Sequence, residues 1–241
     1  MDSNPSNSDI LPIEVIEEKT LFHGKWLGAR QIIYKHRGTD SAENAKEKVI
    51  ETDLSKYPMW QVAYRASKPK TANVDGVGVI ATLIKTSPID KNRKEKFLVL
   101  VKQFRVPLMK YCLEFPAGLL DPKETAMEAG LRELREETGF TATKIHGATS
   151  GIQALDPGLT NDSMNFVVAE IDGDLEVNHK LHAKQQLDDN ERIEVVLVPF
   201  DRVLESFKQF TQEGIVIEAM VYAFGLGLVF QHGQAGEGLV L

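Results

Sequence analysis

One cysteine, Cys112, stands among 241 residues, which excludes an intramolecular disulfide and fits a reducing compartment. No run of 18 apolar residues occurs, so no membrane-spanning helix is expected. The first ten residues are polar and acidic rather than basic and then apolar, and arginine is sparse there. Neither a secretory signal nor a transit peptide is expected. Positive charge is in deficit: 28 Lys and Arg against 35 Asp and Glu leave a net charge of −7. That argues against nucleic acid as a partner, because phosphate backbones demand clustered cations. The one basic run, Lys91-Asn92-Arg93-Lys94-Glu95-Lys96, lies between two strand-like segments and reads as a solvated hairpin tip. Cys112 falls in an apolar strand and reads as inert core. The six histidines show no paired metal-ligand spacing, and no internal repeat is found. A soluble cytoplasmic protein is the expectation, with nucleus and mitochondrion left open.

What is present is a chain with 42% apolar residues, enough for one large domain or one domain with a smaller N-terminal piece. Residues 1–11 read as disordered. Two strand-like stretches follow between Ile13 and Tyr34, about a turn at 22–26, and 37–56 reads as a charged insertion. A strand is expected at 60–66, giving an N-terminal β domain over 12–70. From 71 to 230 strands are expected at 77–84, 97–104, 111–115, 145–153, 163–171 and 193–199, with one helix near 124–138. Two further helices, 201–211 and an apolar one at 216–230 buried on most sides, precede a loose tail at 231–241. Helices on a mixed sheet make the fold class α/β in the broad sense, α+β included.

The most informative segment runs from 118 to 140. It has the form G-x5-E-x7-R-E-U-x-E-E-x-G-U, filled by Gly118, Glu124, Arg132, Glu133, Leu134, Glu136, Glu137, Gly139 and Phe140. With each named residue at roughly one in fifteen, chance supplies this in such a chain about once in ten million. Pro122 near its start and Gly139 after its end frame a helix. Helical spacing puts Met127, Leu131, Leu134 and Thr138 on a core-facing side. Glu133, Glu136 and Glu137 share another side, beside Ala126, Ala129 and Gly130. Each like-charged i,i+4 pair costs roughly 0.2–0.5 kcal/mol, and Gly130 costs about 1 kcal/mol relative to Ala. Both costs make sense if a divalent cation sits on the acidic strip and a loop or substrate approaches the helix closely. Hard oxygen ligands suit Mg²⁺ or Mn²⁺, and Arg132 can pair with Glu136 to hold its carboxylate in place.

This segment resembles the Nudix box, the signature of hydrolases that split a nucleoside diphosphate joined to another group. Val101-Lys102-Gln103-Phe104-Arg105, Glu114-Phe115-Pro116-Ala117-Gly118 and Leu155-Asp156-Pro157-Gly158 resemble the ADP-ribose (ADP-sugar) pyrophosphatase branch. The resemblance implies an α/β/α sandwich behind a small N-terminal β domain. It also implies Mg²⁺-dependent cleavage of ADP-ribose or a related ADP-sugar to AMP and a sugar phosphate. Carried over by residue, Glu133, Glu137 and the Ala117 carbonyl ligate the metal, and Arg105 contacts the diphosphate. Arg65, Gln61 and Asp156 are further substrate contacts, and Trp26 and Trp60 sandwich adenine, one ring from each subunit of a homodimer. Catalytic roles fall to Glu136, Arg132 and Glu191, the last as general base, with Glu194 the alternative. Two rivals are a Nudix hydrolase of UDP-sugars or damaged nucleotides and a catalytically dead module that senses ADP-ribose.

Overall fold

The computed structural model describes residues 12–37, 53–68, 72–179 and 182–231. The expectations for residues 1–11, for residues 38–52 of the insertion and for the tail after 231 lie outside the described residues. The chain divides into two compact units, residues 1–68 with 154–162, and residues 69–153 with 163–241.

The first unit is an antiparallel three-stranded sheet in the order β1-β2-β3. β1 (Ile13–His23) and β2 (Leu27–His36) form a hairpin, and β3 (Met59–Arg65) pairs with β2 from Leu27 opposite Arg65 to Ile33 opposite Met59. Residues 154–162 join this unit for a local reason. The Ala63 N–H donates to Leu159 O at 3.0 Å, and Ala63 bridges Thr160.

The second unit is built on one mixed sheet. Its strands are β4 (Gly76–Thr86), β5 (Lys94–Arg105), β6 (Lys110–Glu114), β7 (Ala117–Leu119), β8 (Lys144–Ala148), β10 (Ser163–Asp172), β11 (Ile193–Pro199) and β12 (Val216–Ile217). The two-residue β9 (Gln153–Ala154) lies where the chain passes from this unit to the first. Strand order is β12-β6-β5-β4-β10-β8, with β11 also on β5 and β7 on β4. β10 runs parallel to β4, and β12 runs parallel to β6. The remaining elements are α1 (Ala126–Thr138), α2 (Val203–Gln212) and α3 (Ala219–Gln231).

Alternation along β5 shows how the layers stack. Leu98 and Leu100 are fully buried in a cluster with Leu113, Phe207 and Val221, the α2 and α3 side. Val99, between them, is buried with Val79, Leu134 and Phe140, the α1 side. Successive strand residues point to opposite faces, so this sheet is covered on both, giving the α/β/α sandwich.

Several details depart from the sequence reading, among them the strand expected at 145–153, which ends at Ala148. Val216 and Ile217 extend the sheet beside Cys112 and Leu113 instead of opening the last helix, which begins at Ala219. The face α1 turns inward is Ala129, Gly130, Leu134, Glu137 and Thr138, while Met127 and Leu131 are only half-buried. At Gly130 the close neighbour is the sheet, not a loop or substrate: a Cβ there would lie 2.7 Å from a Val167 methyl and 3.3 Å from one of Val77. Small residues let the helix settle onto β4 and β10, and that descent buries Glu137.

Candidate active site

The helix that carries the acidic residues is capped at both ends. The Thr125 hydroxyl accepts from Glu128 N–H, and the Glu128 carboxylate accepts from Thr125 N–H at 2.9 Å. Gly139 closes it in the left-handed region, φ 75°, with its N–H on Arg135 O. Arg132 is the hub of the exposed side. Its guanidinium donates to both oxygens of Glu124 at 2.9 Å, to Glu133 at 2.7 Å, to Glu136 at 3.0 Å and to Leu119 O at 3.1 Å. The Glu136 pairing read from spacing is therefore one arm of a larger fork. Its doubly bonded partner is Glu124, to which the sequence reading gave no role although the pattern demands a glutamate there.

Glu133 and Glu137 converge where β7 passes the helix. Gly118 leaves the room, since a Cβ there would lie 1.9 Å from Glu133 Oε1. Glu137 is 4% exposed, and its carboxylate accepts the Ala117 N–H at 2.9 Å. Burial pushes its pKa up to about 8, with the charges of Glu133 and Glu191 adding to the effect. Burial also raises Glu133. Two desolvated carboxylates that repel each other are costly unless a cation joins them. Among the described residues no three His, Cys, Asp or Glu side chains converge as a ready cage. A small hard cation such as Mg²⁺ needs none, because it takes one or two carboxylates and completes its shell with water and substrate phosphate. The donor set fits a divalent ion of that kind.

Arg105 lies in the electrostatic neighbourhood of Glu137. It holds Glu114 by two charged hydrogen bonds, at 2.7 and 2.5 Å. Glu114 is 7% exposed. Behind it lies Glu218, whose carboxyl is pushed up to about 7 by burial and then by the Glu114 charge. Neither glutamate was given a role from sequence. Glu114 had a signal, its place in Glu-Phe-Pro-Ala-Gly; Glu218 had none.

The two candidates for the base differ in position. Glu191 sits in an exposed loop, accepts Asp188 N–H at 3.1 Å, and its charge acts on both Glu133 and Glu137. Glu194 lies on β11 opposite Lys102 and is ion-paired to it at 2.5 Å.

In the first unit a cavity of about 230 Å³ is lined by Trp26, Tyr64, Arg65, Thr160 and Asp162 among others. Arg65 is anchored by two bonds to Asp162, at 3.3 and 2.8 Å, a partner that 97 residues of separation hid from the sequence reading. Trp26 is 63% exposed and carries the Lys25 ammonium 4.5 Å over its ring. Trp60, 48% exposed, does not line this cavity; its indole N–H donates to Gly158 O at 3.2 Å. Gln61 lies opposite Gln31 on β2. The Asp156 carbonyl accepts the N–H groups of Leu159 and Thr160, which shapes the turn that carries Gly158.

The family model for the NUDIX domain matches residues 88–217, the stretch that holds Glu133, Glu136, Glu137 and Glu191. The chain belongs to the Nudix family. It is 35% identical to "Putative nudix hydrolase 2" of Caenorhabditis elegans over 230 residues, 95% of this chain and 90% of that one. It is 32% identical to the ADP-ribose pyrophosphatase of Saccharomyces cerevisiae, covering 93% of this chain and 85% of that one. The ADP-sugar pyrophosphatase of Mus musculus is also 32% identical, over 92% of this chain and 90% of its own. Among solved structures, an ADP compounds hydrolase aligns with 93% of this chain and 97% of its own, with a TM-score of 0.57 and 18% identity. At that identity the likeness speaks for the Nudix fold alone.

Proposed function

We propose that this Nudix hydrolase cleaves the diphosphate of ADP-ribose and related ADP-sugars to AMP and a sugar phosphate, with Mg²⁺ as its ion and Mn²⁺ as a substitute. The observation that carries the reading is the pair of buried Glu137 and half-buried Glu133, both raised and aligned by Gly118 and the Ala117 N–H. Glu133, Glu137 and the Ala117 carbonyl would hold the ion. When bound, it supplies charge neutralisation and Lewis acidity to the diphosphate.

The protein's own groups do the rest. Arg132 fixes Glu133 and Glu136 by direct bonds, so the acidic strip keeps its shape as charge changes. The Glu191 carboxylate takes the proton from the attacking water, as its exposed loop and the action of its charge on both box glutamates support. Arg105 offers a planar fork suited to phosphate oxygens, with Glu114 holding the guanidinium in orientation until substrate arrives. Adenine stacks on Trp26 and Trp60, with Arg65, Gln61 and Asp156 as further substrate contacts. Only Trp26 lines the cavity of its own chain, which supports a homodimer in which each subunit lends one ring. No helix among the described residues is long and apolar enough to cross a membrane, and the lone buried thiol Cys112 suits the cytoplasm.

A product assay tests the reading. Purified protein with Mg²⁺ is offered ADP-ribose, ADP-glucose, UDP-glucose, NADH and nucleoside triphosphates. Fastest release of AMP and ribose 5-phosphate from ADP-ribose is the expected result. Preference for a uridine nucleotide would remove the tryptophans from substrate recognition, and no turnover would favour a sensing role.

A further inference from the structure

The last carbonyls of a helix have no partner within it. At the C-terminus of α1 two of them are met by one short piece of chain. Gln186 N–H donates to Glu136 O at 2.7 Å. The Gln185 side-chain amide donates to Glu137 O at 2.6 Å and to Ile193 O at 3.0 Å. Gly139 permits this approach: its φ is 75°, and a Cβ there would lie 2.6 Å from Ala183 C and 2.7 Å from Lys184 N. Ala183 packs against the core that holds Leu134 and Phe140. Residues 187–192, the loop with Glu191, are thus bracketed by one side chain that grips the box helix at one end and the first residue of β11 at the other.

We infer that Gln185 is a positioning residue for the reaction, setting the reach of the Glu191 loop to Glu133 and Glu137. Both amide hydrogens are used, on carbonyls belonging to the two elements whose separation the loop must span. A group that served only as a helix cap would need the first bond and not the second. The inference rests on the reading of Glu191 as the proton acceptor.

A double-mutant cycle tests it. Gln185→Met keeps the size and removes both donors. Expected are a kcat lowered on the order of tenfold, given that about 1 Å of misplacement costs up to 10²-fold, and a KM within twofold. The same substitution in a Glu191→Gln background is expected to change kcat less than twofold. Mn²⁺ affinity and Tm accompany each variant to show that α1 and its carboxylates are intact. Gln185→Asn, which keeps the amide but shortens its reach, carries the same expectation should the Met variant not fold. Wild-type kcat in the Gln185 variants, or an equal loss in both backgrounds, would overturn the positioning role while leaving Glu191 in place. Wild-type turnover by Glu191→Gln alone would instead remove the base, and the role of Gln185 with it.

Discussion

Gly118→Ala is the most discriminating single change, because its effect can be worked from geometry. The new Cβ would lie 1.9 Å from Glu133 Oε1 and 2.1 Å from its carboxyl carbon, where ordinary contact begins near 3.4 Å. The carboxylate must therefore move by about 1.5 Å to restore van der Waals separation. A displacement of about 1 Å can cost up to about 10²-fold in rate, so kcat for ADP-ribose should fall by about 10²-fold. Mn²⁺ affinity measured by calorimetry should fall with it. Stability should hardly change, because what moves is the end of a flexible side chain, and Gly→Ala at a compatible backbone gains about 0.4–1 kcal/mol from the unfolded state. Gly130→Ala is the contrast. Its Cβ would meet buried Val167 and Val77, so it should cost about 1–3 kcal/mol of stability and leave kcat per folded molecule unchanged. If Gly118→Ala kept wild-type kcat and Mn²⁺ affinity, Glu133 would not be where the chemistry occurs.

Further outcomes follow from the same geometry. Glu191→Gln should lower kcat by about 10²-fold, while Glu194→Gln, which breaks only an exposed pair with Lys102, should stay within twofold; the reverse order would exchange their roles. Trp26→Ala should raise KM for ADP-ribose by the roughly 1–3 kcal/mol that stacking on a base contributes, with kcat retained, and an unchanged KM would place adenine elsewhere. In chelated protein, Glu137 is raised from 4.5 to about 8 by burial and then by Glu133 and Glu191. A raised acid stabilises the fold fully below its unfolded pKa and loses that contribution as pH climbs through the folded one. The Tm of metal-free wild type should therefore fall relative to Glu137→Gln across that window, and parallel Tm curves would show that Glu137 is not strained.

The strands and the box helix were legible because their signals are local. Gly139 after an acidic run, and the short apolar runs at 77–84 and 97–104, each decide an element from neighbouring residues. What sequence could not supply were partners brought in by the fold. Arg65 meets Asp162, Arg105 meets Glu114, and Glu218 comes up behind that pair. The amide of Gln185, to which the sequence reading gave no role, bridges a helix end and a strand start. Periodicity put Leu134 and Thr138 inside, and Met127 packs half-buried against the Val77 and Val167 cluster, but it missed the small residues Ala129 and Gly130, which let α1 lie close to Val167 and carry Glu137 inside. Ile217 lost its helical reading because Leu113 offered a strand to pair with.

The central claim is that Glu133 and Glu137 together hold the ion on which diphosphate cleavage depends. Mn²⁺ titration of wild type and Glu137→Gln, run on the samples used for AMP release from ADP-ribose, measures both halves at once. Loss of tight Mn²⁺ binding together with at least a 10²-fold loss of AMP release is predicted, as removal of a group that acts with the ion demands. Undiminished Mn²⁺ binding with full AMP release in the variant would contradict the account.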